Sequence, residues 1–163
     1  MPGWDALLKI EGVTSESQRK GHEGEIEVKS LQFGGSNISS VGQGSGGGTG
    51  VVTLSEFVIS KITDQSSPEL FQKMCTGQHY PTAVLTLYKS GGDGGPLPYL
   101  KYEFEEVYVT GINWSGQEGG EPIPWESVTF AFGAVTMTYT VQSEEGTGSG
   151  DVVGSWDVRS RTT

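Results

Sequence analysis

The sequence predicts a mainly β fold: a small closed β-barrel of two bent antiparallel sheets with one short flanking α-helix. Three observations carry this expectation. Short runs rich in Val, Ile, Tyr, Phe and Thr recur between glycine clusters, which is the pattern of an all-β sandwich or barrel. The buried parity flips inside several of these runs, as it does where strands bend sharply or pass from one sheet to another. Only one segment has helical spacing together with start and stop signals.

The runs follow one another in order. Ala6–Glu11 is the first. Gly24–Phe33 is the second; Ile26 and Val28 share one parity, whereas Leu31 and Phe33 take the other. Val51–Ile62 repeats the flip between Val52/Leu54 and Phe57/Ile59. Ala83–Tyr88 is the fourth. Tyr99–Val109 sets Leu100, Tyr102 and Phe104 on one face and charged residues opposite. Val128–Val141 flips at Gly133, and a short last run, Val152–Val158, carries Trp156. The helix is expected to start at Ser67 as N-cap with Pro68 in its first position and to end at Gly77. Leu70, Phe71, Met74 and Cys75 form its apolar stripe, so Cys75 is read as a small buried core residue.

The 163 residues suit one domain, 1–163, with an extended glycine-rich loop at 34–50 and a short tail at 159–163. A formal net charge of −10 disfavours nucleic acid and anionic membrane surfaces as partners. No run approaches the ~18 apolar residues of a membrane span. The start, Met1-Pro2-Gly3-Trp4, has neither a basic segment nor an apolar one of the secretory kind, so synthesis in the cytoplasm is expected and export must use another route. A single cysteine excludes an internal disulfide.

Motifs of the kind that carry chemistry elsewhere fail here on context. Gly42-Gln43-Gly44-Ser45-Gly46-Gly47 fits a dinucleotide pattern formally, but a strand-like run follows it where a helix is needed. His22, His79 and Cys75 are too few and too far apart for a zinc site, and His79 is expected to bond backbone groups at the helix exit. Glu103 and Glu105 stand on one strand face, not across a cleft. Neither an enzyme nor a cofactor is expected. Four scattered tryptophans leave a carbohydrate-binding β-sandwich as an alternative.

An ordered set of segments resembles the haemolysin-coregulated protein (Hcp) family, the inner-tube subunit of the bacterial type VI secretion system. The set runs from Leu8-Lys9-Ile10-Glu11-Gly12-Val13 through Gln32-Phe33-Gly34, Lys61-Ile62-Thr63-Asp64 and Ser67-Pro68-Glu69-Leu70. Its most specific stretch is Cys75-Thr76-Gly77-Gln78-His79-Tyr80-Pro81-Thr82, and it closes with Gly154-Ser155-Trp156-Asp157-Val158. The resemblance spans nearly the whole chain, and the departures fall in loops. It implies a barrel with one flanking helix, six-fold rings stacked head to tail into a tube, and export of that tube by the apparatus. It also implies partners: a contractile sheath, a spike protein of the valine-glycine-repeat family and secreted effectors held in the lumen. Tube proteins of related contractile injection systems share the fold and stay open as an alternative. Within this reading, ring stacking is assigned to Gly34, Asn37, Val41, Gly42, Gly44, Gly46 and Gly50, with Gly111–Pro124 as second choice. Lumen or subunit interface is assigned to Glu27, Lys29, Gln32, Lys101, Glu103 and Glu105.

Overall fold

The computed structural model describes residues 4–38, 51–89, 96–142 and 148–163. Among the described residues, ten strands and one helix follow in chain order: β1 Ala6–Ile10, β2 Ile26–Val28, β3 Ser30–Gln32, β4 Gly35–Asn37, β5 Val52–Leu54, β6 Phe57–Ile62, α1 Ser67–Thr76, β7 His79–Lys89, β8 Leu97–Ser115, β9 Trp125–Gln142 and β10 Gly148–Asp157. All pairings are antiparallel. The main sheet runs β2-β1-β7-β8-β9-β6-β3, and β10 adds to the second half of β9.

The two end strands of that sheet are halves of one bent segment. β2 pairs with β1, the chain turns at Lys29, and β3 pairs with β6. The Lys29 N–H donates to the Ser60 carbonyl at 2.8 Å, so the sheet's two ends meet at this corner. The parity flip after Val28 is therefore a strand changing partners. β8 and β9 bend together at the facing residues Glu106 and Gly133, which lie between the pairs Glu105–Ala134 and Val107–Phe132. Glu106 takes a left-handed φ of 52°, an uncommon conformation for a residue with a side chain. A Cβ on Gly133 would come within 2.9 Å of both the Arg159 side chain and Glu106 Oε2, so these two side chains pack directly on the glycine and would have to shift for a larger residue. Arg159 lies over the bend, pairing with Glu106 at 2.8 Å and with Asp157 at 2.9 Å.

The core fills the space inside the curled sheet. Phe57 is fully buried and stacks on Phe104 and Phe130, with ring centroids 3.9 and 4.6 Å away. Phe33 meets Phe104 and Phe132 edge-on. Leu7 and Tyr88 are buried on the opposite face of the sheet, where Arg19 and His22 of the segment after β1 pack on the Tyr88 ring.

Three expectations need correction. The helix begins one residue earlier: Ser66 is its N-cap, and Pro68 stands in the second position. Ser66 makes no side-chain cap bond, because Asp64 Oδ1 accepts from the Ser66 N–H and hydroxyl instead. Cys75 is exposed. Leu70 is buried and Met74 packs on the core one turn later, while Phe71 and Cys75 form the next ridge, which turns outward. The helix is too short and too peripheral to bury both ridges. Finally, segment 34–50 is not loop from its first residue, since β4 pairs with β5 through Gly35–Leu54 and Asn37–Val52. A Cβ on Gly35 would lie 2.6 Å from Leu54 Cδ2 and 3.1 Å from the Thr53 carbonyl, so a larger residue there would need Leu54 to move. His79 contacts the Tyr108 ring, 5.3 Å between centroids.

Candidate assembly surfaces

The residues singled out for a lumen or an interface divide into two groups. Alternation along β8 turns Leu100, Tyr102 and Phe104 to the core and Lys101, Glu103 and Glu105 away from it. Cross-strand register extends this face sideways. Thr86, Lys101, Thr138 and Val153 form one row over β7, β8, β9 and β10. Val84, Glu103, Thr136 and Ser155 form the next. Glu27 joins the first row through Leu7. The result is a broad, threonine-rich, mixed-charge surface, with Lys101 3.6 Å from Glu103. Gln32 also points away from the core but sits beside Val58, on the far side of the β2–β3 corner. Lys29 occupies that corner, 4.0 Å from Glu27.

Of the stacking residues, Gly34 and Asn37 belong to the base of the β4–β5 ribbon. Gly34 donates to Ser55 Oγ at 3.0 Å and accepts from the Ser55 N–H at 2.8 Å. Val41, Gly42, Gly44, Gly46 and Gly50 lie outside the described residues. The second-choice segment, 111–124, starts within β8 and turns back into β9. A cleft of about 640 Å³ opens there, lined by Gln117, Glu121, Ile123 and Trp125 among others.

A buried ionic network fixes the helix against this end of the barrel. Lys61 Nζ is fully buried, 2.5 Å from Glu126 Oε2 and 2.9 Å from Asp64 Oδ1. Ser67 Oγ, in the first turn of α1, donates to Glu126 Oε2 at 2.8 Å. Ser15 Oγ donates to Asp64 Oδ2 at 2.6 Å, and Gln65 Nε2 donates to the Ser15 carbonyl at 2.8 Å. Strand, helix and N-terminal segment thus share one set of bonds. Sequence reading quoted Lys61 and Asp64 within a resemblance and missed their pairing. The signal was present in the parity: Phe57, Ile59 and Lys61 alternate on β6, as Glu126, Val128 and Phe130 do on β9, which puts opposite charges on two inward faces.

Burial works against ionised Asp64, but hydrogen bonds from Ser15, Ser66 and Lys61 outweigh it and hold the carboxyl below the ordinary aspartate range. A carboxyl whose pKa is depressed on folding adds stability above its unfolded value, near 3.9. That stability is lost as pH falls through the folded value. Asp64→Asn is therefore expected to flatten the decline of the urea midpoint below about pH 4. An unchanged decline would show that Asp64 is not the titrating group.

Among the described residues, no group of three or more His, Cys, Asp or Glu side chains could hold a metal ion, and no helix is long and apolar enough to cross a membrane.

Comparison with known proteins settles the family. A model of the family described as "Type VI secretion system effector, Hcp" matches residues 7–139. The chain belongs to the Hcp family of type VI secretion proteins. It is 36% identical over 156 residues to the protein hcp1 of Pseudomonas aeruginosa, covering 95% of each chain. Two solved structures are similar over 98% of both chains. One is a type six secretion system protein (28% identity, TM-score 0.89), and the other is Hcp1 from Salmonella typhimurium (31% identity, TM-score 0.78). The mainly β fold with one helix is thus that of Hcp proteins.

Proposed function

We propose that this Hcp-family chain is a structural subunit of the type VI inner tube, forming hexameric rings that stack and are exported together. The observation that carries this reading is the family match over most of the chain joined to similarity along its whole length. The surfaces agree with it. A lumen must stay hydrated and non-adhesive to let cargo pass. The face bearing Lys101, Glu103, Glu105, Thr136 and Thr138 combines polar groups of both signs without a large apolar patch. Glu27 extends it and Lys29 borders it; Gln32 is left for a different surface. Secreted effectors are the proposed cargo of the lumen, a spike protein of the valine-glycine-repeat family caps the tube, and a contractile sheath surrounds it.

Stacking is assigned to the β4–β5 ribbon and the glycine-rich segment that it carries, including Gly34, Asn37, Val41, Gly42, Gly44, Gly46 and Gly50. Sedimentation velocity tests both parts. The wild-type chain should run as a hexamer that lengthens into larger species at high concentration. Deleting Gly42–Gly50 should keep the hexamer and remove the larger species. A monomeric wild type would overturn the ring, and undiminished tubes after the deletion would overturn the stacking assignment.

A further inference from the structure

Assembly leaves the four tryptophans unexplained, and the fold treats them unequally. Trp4 Nε1 donates to the Val28 carbonyl at 2.9 Å. Trp114 leans on Phe71 of α1, with 5.9 Å between ring centroids, and Trp156 packs on the core. Trp125 has none of these supports. It is 39% exposed and, with Ser115, Gln117, Glu121 and Ile123, lines the cleft of about 640 Å³ at the β8–β9 turn.

Local structure shapes that cleft. Register pairs Ser115 with Trp125 and Trp114 with Glu126, and cross-strand partners share a face. Glu126 is buried, so Trp125 and Ser115 take the opposite, outer face. The Thr63 N–H and hydroxyl both donate to the Pro124 carbonyl, at 3.1 and 3.0 Å, which ties the returning chain to the end of β6. At the tip, the Gly120 N–H donates to the Gln117 carbonyl at 3.1 Å and Gly119 takes a left-handed φ of 85°. The backbone thus closes the turn by itself. The side chains of Ser115, Gln117 and Glu121 make no hydrogen bond or ion pair with any described residue.

Ligand sites of this volume combine apolar walls with a few polar groups that fix orientation. This cleft offers a flat indole, an aliphatic side chain, an amide and a hydroxyl that each donate and accept, and a carboxylate that accepts. No Lys, Arg or His is among its lining residues. With a chain charge of −10, that disfavours phosphate and carboxylate ligands. A sugar ring matches, because one of its faces is apolar C–H surface and its rim carries hydroxyl donors and acceptors. An organic cation would also be drawn to an indole beside a carboxylate, but a quaternary ammonium would leave Gln117 and Ser115 unmatched. We propose that the β8–β9 cleft binds an uncharged hexopyranose, stacked on Trp125 and hydrogen-bonded through its hydroxyls by Gln117 and Glu121. The site is complete within one chain and stands whether or not rings form.

Titration of the purified chain with maltotriose, cellotriose and chitotriose, followed through the indole N–H signal of Trp125 by NMR, tests the assignment without a variant. At least one of the three should shift that signal saturably. Trigalacturonate, which is anionic, should not. Calorimetry then gives the affinity for the trisaccharide that binds. Trp125→Ala should weaken it at least about tenfold, the scale of losing an aromatic anchor. Silence of the Trp125 signal with all three neutral trisaccharides would overturn the proposal, as would undiminished affinity in a folded Trp125→Ala chain. A signal moved by tetramethylammonium and by none of the sugars would overturn the sugar assignment and give the cleft to organic cations.

Discussion

Lys61→Met should cost about 3–5 kcal/mol of folding free energy, the range found when one partner of a buried ion pair is removed. Lys61 and Glu126 are both fully buried, so neither charge can turn to water when the other is lost. Glu126 would keep only the Ser67 hydroxyl, and its Oε1 already has no hydrogen-bond partner. The double variant Lys61→Met/Glu126→Leu should recover most of the loss, because it removes the stranded carboxylate with the ammonium. Urea unfolding at one fixed protein concentration checks both, since assembly raises apparent stability by mass action. A loss below about 1 kcal/mol in the single variant, the scale of an exposed pair, would show that water reaches this network.

Phe57→Ala should be comparably severe, at about 3–5 kcal/mol. Its ring lies between Phe104 and Phe130 at the centre of the barrel, with no surface exposed. Truncation removes apolar contact on both faces of the ring and leaves a cavity walled by three strands of one sheet. Such a sheet cannot collapse inward without shifting its hydrogen-bond register, so the void should persist. Phe57→Leu, which keeps most of the volume, should lose less than half as much by the same unfolding measurement. Equal losses would point to backbone rearrangement and not to a cavity.

The sequence made the barrel legible because strand period and parity are local signals. Ile26/Val28 against Leu31/Phe33 identified the strand that changes partners, and Gly133 marked the bend in β9 that Glu106 completes on β8. The helix was legible from Ser67-Pro68-Glu69 to Gly77, although not the identity of its cap. Asp64 competes for the Ser66 donors, and no rule of spacing reveals that. Cys75 was misplaced because helical periodicity says which residues share a stripe and not how wide a stripe the barrel can cover. The strand edges belong to the least legible part. Whether β10 is central or peripheral depends on β6 occupying only the first half of β9, a fact of tertiary pairing. The set proposed for a lumen or interface was half legible, since alternation put Lys101, Glu103 and Glu105 together, while only the register through Leu7 and Thr86 brings Glu27 to the same surface and leaves Gln32 apart.

Negative-stain electron microscopy of the purified chain tests the central claim most directly. Hollow particles with six-fold end-on averages are the expected result, together with side views of stacked rings as concentration rises. Fields of solid particles of single-chain size, at concentrations well above those of the sedimentation experiment, would contradict the assignment of this chain to a tube.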